Sequence, residues 1–413
     1  MELPKIISVD DHVVEPPHVW ENYLPAKYVE RGPHVKRGKF GAFTHKTGAR
    51  YNNEFDEDGI EGDYWTYEDR LIYVHKKFVA IPLSATPDGT VESFDRTVMQ
   101  MEAVTYDGMR PGCYDRDARV QDFANNWMDG SLPFPTFPRF CGQTFMEGED
   151  KALGLACVQA YNNWMVEEWC EPSGGMNIPL CIMPLWDVDL ATAEIERMAA
   201  KGVHAFTFPE LPDRLKLPDG SRLPSIHTGE WDRLIAACNA NHVTLCMHVG
   251  SSSTMPLASR DSPEAVGGTL AFNNAMAAMT DWLFSGKMIE YPDLKLAYSE
   301  GQIGWIPYAL ERADTVWDHH NAWMHTKDKI PELPSTYYWG RIFGCFTADR
   351  HGLANLSSVG ENNICFETDY PHTDTTWPHS KAYAENMIKG LSDEVTYKVL
   401  RGNAINMLSL DRI

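Results

Sequence analysis

The sequence contains no hydrophobic run long enough to cross a lipid bilayer. A spanning helix needs about 20 consecutive apolar residues, and no run approaches that length. The first residues also lack the basic stretch followed by an apolar one that marks a secretory signal. We therefore expect no membrane partner and a cytoplasmic location.

Paired cysteine motifs are absent as well. The nine cysteines are scattered, none belongs to a Cys-x-x-Cys pair, and several lie in apolar runs. Free thiols of a hydrophobic core are distributed in this way. An odd number of cysteines without pairing spacing fits a reducing compartment, which agrees with a cytoplasmic location.

Positive charge is scarce. The chain has 36 lysines and arginines against 58 acidic residues, a net charge of -22. Because nucleic acid requires a basic face, this balance argues against a nucleic-acid partner. The Gly-x-x-x-x-Gly-Lys phosphate loop and the Gly-x-Ser-x-Gly nucleophile turn are also missing. We expect a small-molecule substrate instead.

Eight short apolar runs predict β-strands within a chain of 413 residues, of which 43% are hydrophobic. Between most of them, apolar residues recur at helical spacing, and this alternation favours parallel βα units. The strands are predicted near residues 6–9, 131–134, 178–183, 203–208, 244–248, 294–298, 342–346 and 364–367. The helices are predicted near residues 150–169, 190–200, 231–239, 272–283 and 306–317. Eight strands favour an α/β fold closed into a (β/α)8 TIM barrel.

Residues 16–130 separate the first two predicted strands by far more than a normal connection. The segment begins with a proline-rich stretch and carries an acidic cluster at 54–58 and several aromatic residues. We predict that it is an insertion that packs over the barrel mouth as a lid, within one domain spanning residues 1–413. The alternative is a peripheral arm or an oligomer contact. A second, shorter insertion is expected at residues 318–340.

Acidic residues and histidines follow several predicted strands at their carboxyl ends. Asp10 and His12 are two positions apart, so strand alternation places both side chains on one side. In a closed barrel all carboxyl ends meet at one rim, where active sites form. Convergent carboxylates repel each other unless a cation is shared, and both carboxylate and imidazole bind divalent metals. The predicted metal ligands are Asp10, His12, Glu210, His248, Glu300 and Asp369.

Most of these residues also have a structural explanation. Asp10 can cap the turn that follows it, and Glu300, which precedes Gly301, can cap the next helix. His248 ends an apolar strand and can be an ordinary core histidine, while Glu210 follows a proline in a loop and can be solvated.

Residues beside the predicted ligands suggest substrate contacts. Arg139 can bind a substrate carboxylate through two hydrogen bonds or pair with a surface acid, and His372 can orient a ligand from behind or cap a loop. Aromatic residues near the rim predict a bulky apolar or aromatic substrate, unless they serve ordinary barrel packing. These are Phe137, Phe140, Trp186, Phe208, Trp305 and Trp377.

Several short motifs follow one another along the chain. They are Val9-Asp10-Asp11-His12, Met247-His248, Tyr298 to Trp305, Thr368 to His372, and the closing Arg401-Gly402-Asn403-Ala404. Together they resemble the amidohydrolase superfamily, in the amidohydrolase-2 branch with aminocarboxymuconate-semialdehyde decarboxylase and the resorcylate decarboxylases. The resemblance implies a distorted (β/α)8 barrel with a metal at its mouth. It implies Asp10, His12 and Asp369 as metal ligands and His248 as a residue that binds metal or moves protons.

The chain departs from the family pattern in its ligand set. The common opening is His-x-His, whereas this chain has Asp10-Asp11-His12. Glu210 stands where many decarboxylase-like members have a histidine, and no lysine matches the expected carboxylated bridging lysine. An oxygen-rich ligand shell weakens the case for zinc and favours iron or manganese, as one or two ions.

These residues predict a metal-dependent hydrolase or decarboxylase that acts on a carbonyl or carboxylate substrate, with His248 and Asp369 as catalytic acid–base groups. A redox alternative is a di-iron oxygenase, because four carboxylates and two histidines also make up a di-iron site. A third alternative is a catalytically silent barrel that binds without metal. The resemblance also implies a homodimer.

Overall fold

The computed structural model describes residues 2–47, 50–52 and 54–411. Its strands are β1 (Ile6–Val13), β2 (His34–Phe40), β3 (Thr44–Thr47), β4 (Arg50–Asn52), β5 (Ile60–Tyr67), β6 (Arg70–Val74), β7 (Met128–Pro135), β8 (Ala205–Thr207), β9 (Thr244–His248), β10 (Lys295–Ser299), β11 (Ile342–Phe346) and β12 (Ile364–Phe366). Its helices are α1 (His18–Tyr23), α2 (Ala26–Val29), α3 (Arg116–Asn125), α4 (Gln143–Met146), α5 (Lys151–Trp164), α6 (Val188–Ala199), α7 (Asp232–Ala240), α8 (Glu264–Leu270), α9 (Phe272–Phe284), α10 (Lys287–Glu290), α11 (Ile306–His319), α12 (Asn321–Met324), α13 (Arg350–Ala354), α14 (Leu356–Val359), α15 (Ser380–Met387), α16 (Asp393–Tyr397) and α17 (Asn403–Met407). Two π-helical turns, Met165–Cys170 and Lys398–Gly402, extend α5 and join α16 to α17.

The central strands are parallel and form two ladders. β1 pairs with β7, and β8 to β12 pair in the order β8-β9-β10-β11-β12. The prediction of a regular strand at 178–183 is wrong, because only isolated bridges connect this part of the chain to β7 and β8. Pro179 has no N–H to donate, and the N–H of Ile182 donates to the side chain of Asn162. The segment still occupies the place of a strand between the two ladders.

The last strand approaches the first through hydrogen bonds beyond its regular end. The N–H of Asp369 donates to the carbonyl oxygen of Asp10 over 2.9 Å, and the N–H of His12 donates to that of Tyr370 over 2.6 Å. Eight extended segments therefore surround one interior, as a distorted (β/α)8 barrel. The predicted fold class is confirmed.

The other seven predicted strands and all five predicted helices are present, with bounds shifted by a few residues. Among the strands the largest shift is in β1, which continues to Val13, so Asp10 and His12 lie inside the strand and not after it. No helix in the described part of the chain is both long and apolar enough to span a membrane.

The barrel interior below the rim is filled by apolar side chains from all its strands. The shared feature of this layer is complete or nearly complete burial, as for Ile7, Val9, Leu132, Phe134, Ala205, Cys246, Ala297, Phe343, Cys345 and Cys365. Because the interior is solid, only the rim above it offers room for chemistry.

The insertion predicted at residues 16–130 has its own antiparallel sheet, ordered β2-β5-β6, a hairpin of β3 and β4, and helices α1 to α3. Its last residues belong to β7, which begins at Met128. Trp20 and Trp65 share one buried cluster with α5 on the outside of the barrel. The carbonyl oxygen of Phe78 accepts the N–H of Thr373, in the loop after β12, over 3.0 Å. The insertion thus contacts both the flank and the rim, and its action as a lid stays a prediction.

Candidate metal centre

The end of β1 presents acidic side chains in two directions. Asp11 is directed away from Asp10 and His12 and is held by three donors. The hydroxyls of Ser131 and Thr368 donate to it over 2.6 Å each, and the N–H of Tyr370 donates over 2.9 Å. Asp11 therefore joins β1, β7 and the end of β12, a structural role.

Asp10 and His12 face the barrel axis, where the structure brings them together with residues from three other strand ends. Asp10 Oδ1 lies 3.7 Å from His12 Nε2, and Asp10 Oδ2 lies 3.3 Å from His248 Nε2. His248 Nε2 lies 3.8 Å from Glu300 Oε2, and His12 Nε2 lies 3.3 Å from Asp369 Oδ1. Five of the six predicted ligands thus converge.

Two overlapping sets of donor atoms result, and within each set the atoms lie within 4.8 Å of one another. Both sets include His12 and Glu300; the first adds Asp10 and His248, and the second adds Asp369 and His372. Glu210, the sixth predicted ligand, belongs to neither set. This residue is 2% exposed, and its carboxylate lies near His248.

The two central histidines are oriented so that Nε2 is available. His248 Nδ1 lies 2.7 Å from the carbonyl oxygen of Val249, which can only accept, so Nδ1 carries the proton and Nε2 keeps its lone pair. The ring of Phe140 stacks on His248 with centroids 4.1 Å apart. His12 stacks on His372 with centroids 3.5 Å apart, and Nε2 of both His12 and His248 has no hydrogen-bond partner.

The carboxylate of Asp10 is buried without a compensating donor, and that of Asp369 has only imidazoles beside it. Both oxygens of Asp10 and of Asp369 lack a hydrogen-bond partner. Burial raises the pKa of Asp10 well above its usual value, and the charges of Glu300, Asp369 and Asp11 raise it further. Burial also raises the pKa of Glu300 to about 7 and that of Glu210 to about 8. A cation at this place would satisfy these oxygens, so the residues fit a divalent metal.

The neighbouring imidazoles lower the pKa of Asp369, whereas burial raises that of Asp10 and Glu300. Burial tends to raise the pKa of Asp369 as well, but His372 and His12 outweigh burial, so the pKa lies below the usual range. His372 Nδ1 lies 3.2 Å from Asp369 Oδ1. Burial and the neighbouring His372 lower the pKa of His12, which keeps this ring neutral and suitable as a ligand.

The predicted substrate contacts have structural partners. Arg139 Nη1 is 2.7 Å from Glu147 Oε1, and Nη2 donates to the hydroxyl of Ser253, which matches the alternative of a pairing with an acid. Among the predicted rim aromatics, Phe137, Phe208 and Trp377 are at most 1% exposed and pack against other rings. Phe140, another predicted rim aromatic, stacks on the ring of His248, as described above.

Sequence reasoning missed Glu367. This residue is fully buried, and its two carboxylate oxygens each lie 3.2 Å from the N–H of Glu300. Burial raises its pKa, and Asp10 and Glu300 raise it further. Its position directly after β12, in the same acidic segment as Asp369, was a usable signal.

A buried carboxylate outside the cluster, that of Glu15, gives a test of stability against pH. Glu15 is fully buried and accepts the N–H groups of Thr136 and Phe137 over 2.9 Å each. Burial raises its pKa from 4.5 to about 7. Because the folded state binds this proton more tightly, Glu15 lowers the free energy of unfolding as pH rises from 4.5 to about 7 and adds no further loss above that.

Glu15→Gln should therefore reduce the decline in unfolding free energy over that pH range, measured by urea unfolding at a series of pH values. The exposed Glu149→Gln serves as the control and should keep the decline of the original chain. An unchanged slope in Glu15→Gln would show that this carboxyl group titrates normally.

The sequence model of the amidohydrolase family matches residues 72–410. The chain therefore belongs to the amidohydrolase family. None of the curated proteins matches it significantly.

Solved structures agree on the fold. An amidohydrolase from Mycobacterium avium subsp. paratuberculosis superposes with a TM-score of 0.68 at 19% identity, covering 98% of this chain and 99% of the other. The 2,6-dihydroxybenzoate decarboxylase from Rhizobium superposes with a TM-score of 0.58 at 19% identity, covering 73% of this chain and 90% of the other. A dihydroxybenzoic acid decarboxylase from Polaromonas, with bound manganese, superposes with a TM-score of 0.56 at 21% identity, covering 74% of this chain and 89% of the other.

Proposed function

We propose that this protein is a metal-dependent hydrolase, or a decarboxylase using the same centre, that acts on a bulky apolar or aromatic carbonyl compound. The observation that carries the proposal is the convergence of Asp10, His12, His248, Glu300 and Asp369 at one rim, where neither oxygen of the buried Asp10 has a hydrogen-bond partner. The decarboxylases among the similar structures and the manganese bound in the Polaromonas structure support it.

Asp10, His12, His248 and Glu300, which form the first donor set, would hold the cation, and Asp369 belongs to the second set beside them. Their donor set of carboxylates and imidazoles suits manganese, iron or zinc. A bound divalent cation polarises a carbonyl and lowers the pKa of its water from about 16 towards ~7.

The chain's own groups would bind and move protons around that cation. Asp369 and His372 lie 3.2 Å apart, and the His372 side chain is 15% exposed, so this pair could hold a proton at a solvent-accessible part of the cluster. Glu300 is the most accessible member, with 28% of its side chain exposed. His248 stays directed by the carbonyl oxygen of Val249.

The charges of the site favour a neutral substrate group. Asp10, Glu300 and Asp369 together exceed the charge of one divalent cation, and Arg139 is occupied by Glu147. A substrate carboxylate would therefore meet net repulsion unless a second cation or a proton compensated it. We therefore propose hydrolysis of a carbonyl compound before decarboxylation. The ring of Phe140 on His248 offers an apolar wall for the substrate.

A second candidate function is a dinuclear oxygenase. It is favoured by the second donor set, in which Asp369 and His372 join the shared His12 and Glu300. Two divalent cations would balance four carboxylates, if Glu210 is ionised with the other three. Such carboxylate-rich dinuclear sites are typical of oxygen-activating iron proteins.

Metal content and oxygen dependence test the two candidates together. Protein purified without chelators should contain at least one divalent ion per chain, and removing it should abolish turnover of aromatic esters, amides or lactones. Re-addition of manganese or iron should restore turnover. One ion per chain with turnover under nitrogen supports the hydrolase, and two irons with turnover only in oxygen support the oxygenase.

The contrary outcome is equally clear. A chain that takes up no metal, and whose melting temperature is unchanged by added manganese, zinc or ferrous iron, contradicts both candidates. It would instead support the catalytically silent barrel.

A further inference from the structure

Helix α3, the last helix of the insertion, buries two opposite charges one turn apart. Arg119 is fully buried and Asp122 is 4% exposed. Burying a charged group is unfavourable unless hydrogen bonds and nearby charges compensate it. Both residues are directed towards the rim of the barrel, where their partners belong to the motifs that contain the candidate metal ligands.

Arg119 holds the main chain of β1. Its Nη2 donates to the carbonyl oxygen of His12 over 2.7 Å and to that of Cys113 over 3.2 Å, and its Nε donates to that of Gly112 over 2.5 Å. The guanidinium therefore fixes the peptide group that follows a candidate ligand. His12 and Arg119 are 107 positions apart in the chain.

Tyr370, which follows the candidate ligand Asp369, is held by the same helix. Its ring centroid lies 4.5 Å from Arg119 Cζ, a distance typical of a cation–π contact. Its hydroxyl donates to Asp122 Oδ2 over 2.7 Å. Asp122 is fixed in turn by Arg110, whose Nε and Nη2 donate to it over 2.7 and 2.6 Å.

These contacts form a closed ring of interactions around His12. The N–H of His12 donates to the carbonyl oxygen of Tyr370, the carbonyl oxygen of His12 accepts from Arg119, and Arg119 lies over the ring of Tyr370. The N–H of Asp369 donates to the carbonyl oxygen of Asp10 beside this ring. A shift of Arg119 would therefore move the main chain on both sides of the candidate centre.

We propose that Arg119 and Asp122 of α3 are positioning residues that hold the strand ends carrying His12 and Asp369 at the separation a cation requires. This inference rests on the metal centre of the proposed function. It also assigns a role to the insertion, because its last helix becomes part of the support for the site. Hydrogen-bond partners behind metal ligands typically account for about 10–100-fold in metal affinity or activity.

The space around this contact admits no additional atom at Gly112. A methyl group there would overlap the carboxylate of Asp122 and the hydroxyl of Tyr370. Because the backbone of Gly112 does not have a positive φ, the requirement for glycine comes from the close approach of these two groups.

The experiment compares metal affinity with stability in Arg119→Lys, Asp122→Asn and Tyr370→Phe. Lysine keeps the charge but loses the planar fork and its stacking, and phenylalanine keeps the ring but loses the hydroxyl. Arg197→Lys is the matched control, because Arg197 makes a two-point contact with Glu194 far from the site. The dissociation constant for Mn²⁺ is measured by competition with a chromogenic chelator, and the stability of the chelated protein by urea unfolding.

We expect Arg119→Lys and Asp122→Asn to weaken Mn²⁺ binding about 10–100-fold, with a smaller effect in Tyr370→Phe and none in Arg197→Lys. A purely structural role would lower the stability of the chelated protein and leave the dissociation constant within about twofold, and that result would overturn the inference. If Arg119→Lys fails to fold, Tyr370→Phe decides by the same criterion. An unmodified chain that binds no Mn²⁺ overturns the proposed function, and the inference with it, before any variant is compared.

Discussion

Asp10→Asn is expected to abolish tight cation binding and, at the same time, to stabilise the cation-free protein. Asp10 is fully buried, and neither of its oxygens has a hydrogen-bond partner. Burial and the nearby charges of Glu300, Asp369 and Asp11 raise its pKa. Without a cation, the folded protein therefore loses stability as pH rises above the ordinary carboxyl pKa, because folding disfavours the ionised form of Asp10. Asparagine removes that loss.

An unsatisfied buried polar group costs about 1–3 kcal/mol, more if it is charged. We expect a gain of that order in the unfolding free energy of chelated Asp10→Asn at pH near 8, measured with urea. The same variant should show no saturable Mn²⁺ binding at concentrations that load the unmodified chain. Gain of stability and loss of binding in one variant is the signature of a site built for a cation.

Asp11→Asn is the matched control, one position along the strand. Asp11 accepts hydrogen bonds from Ser131, Thr368 and Tyr370, so its replacement should destabilise the protein with and without metal. If Asp10→Asn destabilises the chelated protein to the same extent as Asp11→Asn, Asp10 is a structural residue and the metal assignment at β1 is wrong.

Trp65→Ala is expected to have the largest effect on stability. Trp65 is fully buried in β5 and stacks on Phe137, with centroids 4.8 Å apart. It also meets Trp20 edge to face at 5.1 Å. Because Phe137 follows the barrel strand β7, this contact joins the insertion to the barrel. Truncating a buried tryptophan costs about 3–5 kcal/mol, and we expect a loss of that size in one cooperative unfolding transition.

The control is Trp323→Ala in α12, where 68% of the residue is exposed. An exposed side chain away from other features usually changes stability by less than about 0.5 kcal/mol. If Trp65→Ala instead produces two separate transitions, with the barrel unfolding as it does in the original chain, the insertion is an independent domain. The prediction of one domain over residues 1–413 would then be wrong.

Much of the barrel was predictable because its signals are local. A run such as 244–248, with apolar residues ending in His248, needs no information from elsewhere in the chain to be recognised as a buried strand. The strand prediction at 178–183 was wrong for a local reason as well, because Pro179 and Pro184 limit the hydrogen bonds that a ladder needs. The proline positions were visible, but the apolar pattern outweighed them.

The candidate site was predictable in its residue types and only partly in its membership. Strand ends with Asp10, His12, His248, Glu300 and Asp369 converge as expected. Glu210 remains outside both donor sets, and His372, predicted as a neighbour, belongs to one of them. These differences are set by side-chain directions in loops beyond the strands, where the period-two rule no longer applies.

Taken alone, the sequence determined the class of fold, the rim and the kinds of donor atom gathered there, because alternation and apolar periodicity act over a few residues. Only the tertiary structure decided that Asp11 stabilises the barrel while Asp10 faces its axis, that Arg139 pairs with Glu147, and that Arg119 supports His12 from the insertion. Such contacts join residues far apart in the chain. Their distances follow from how the strands close and the helices pack, and short-range patterns carry no record of either.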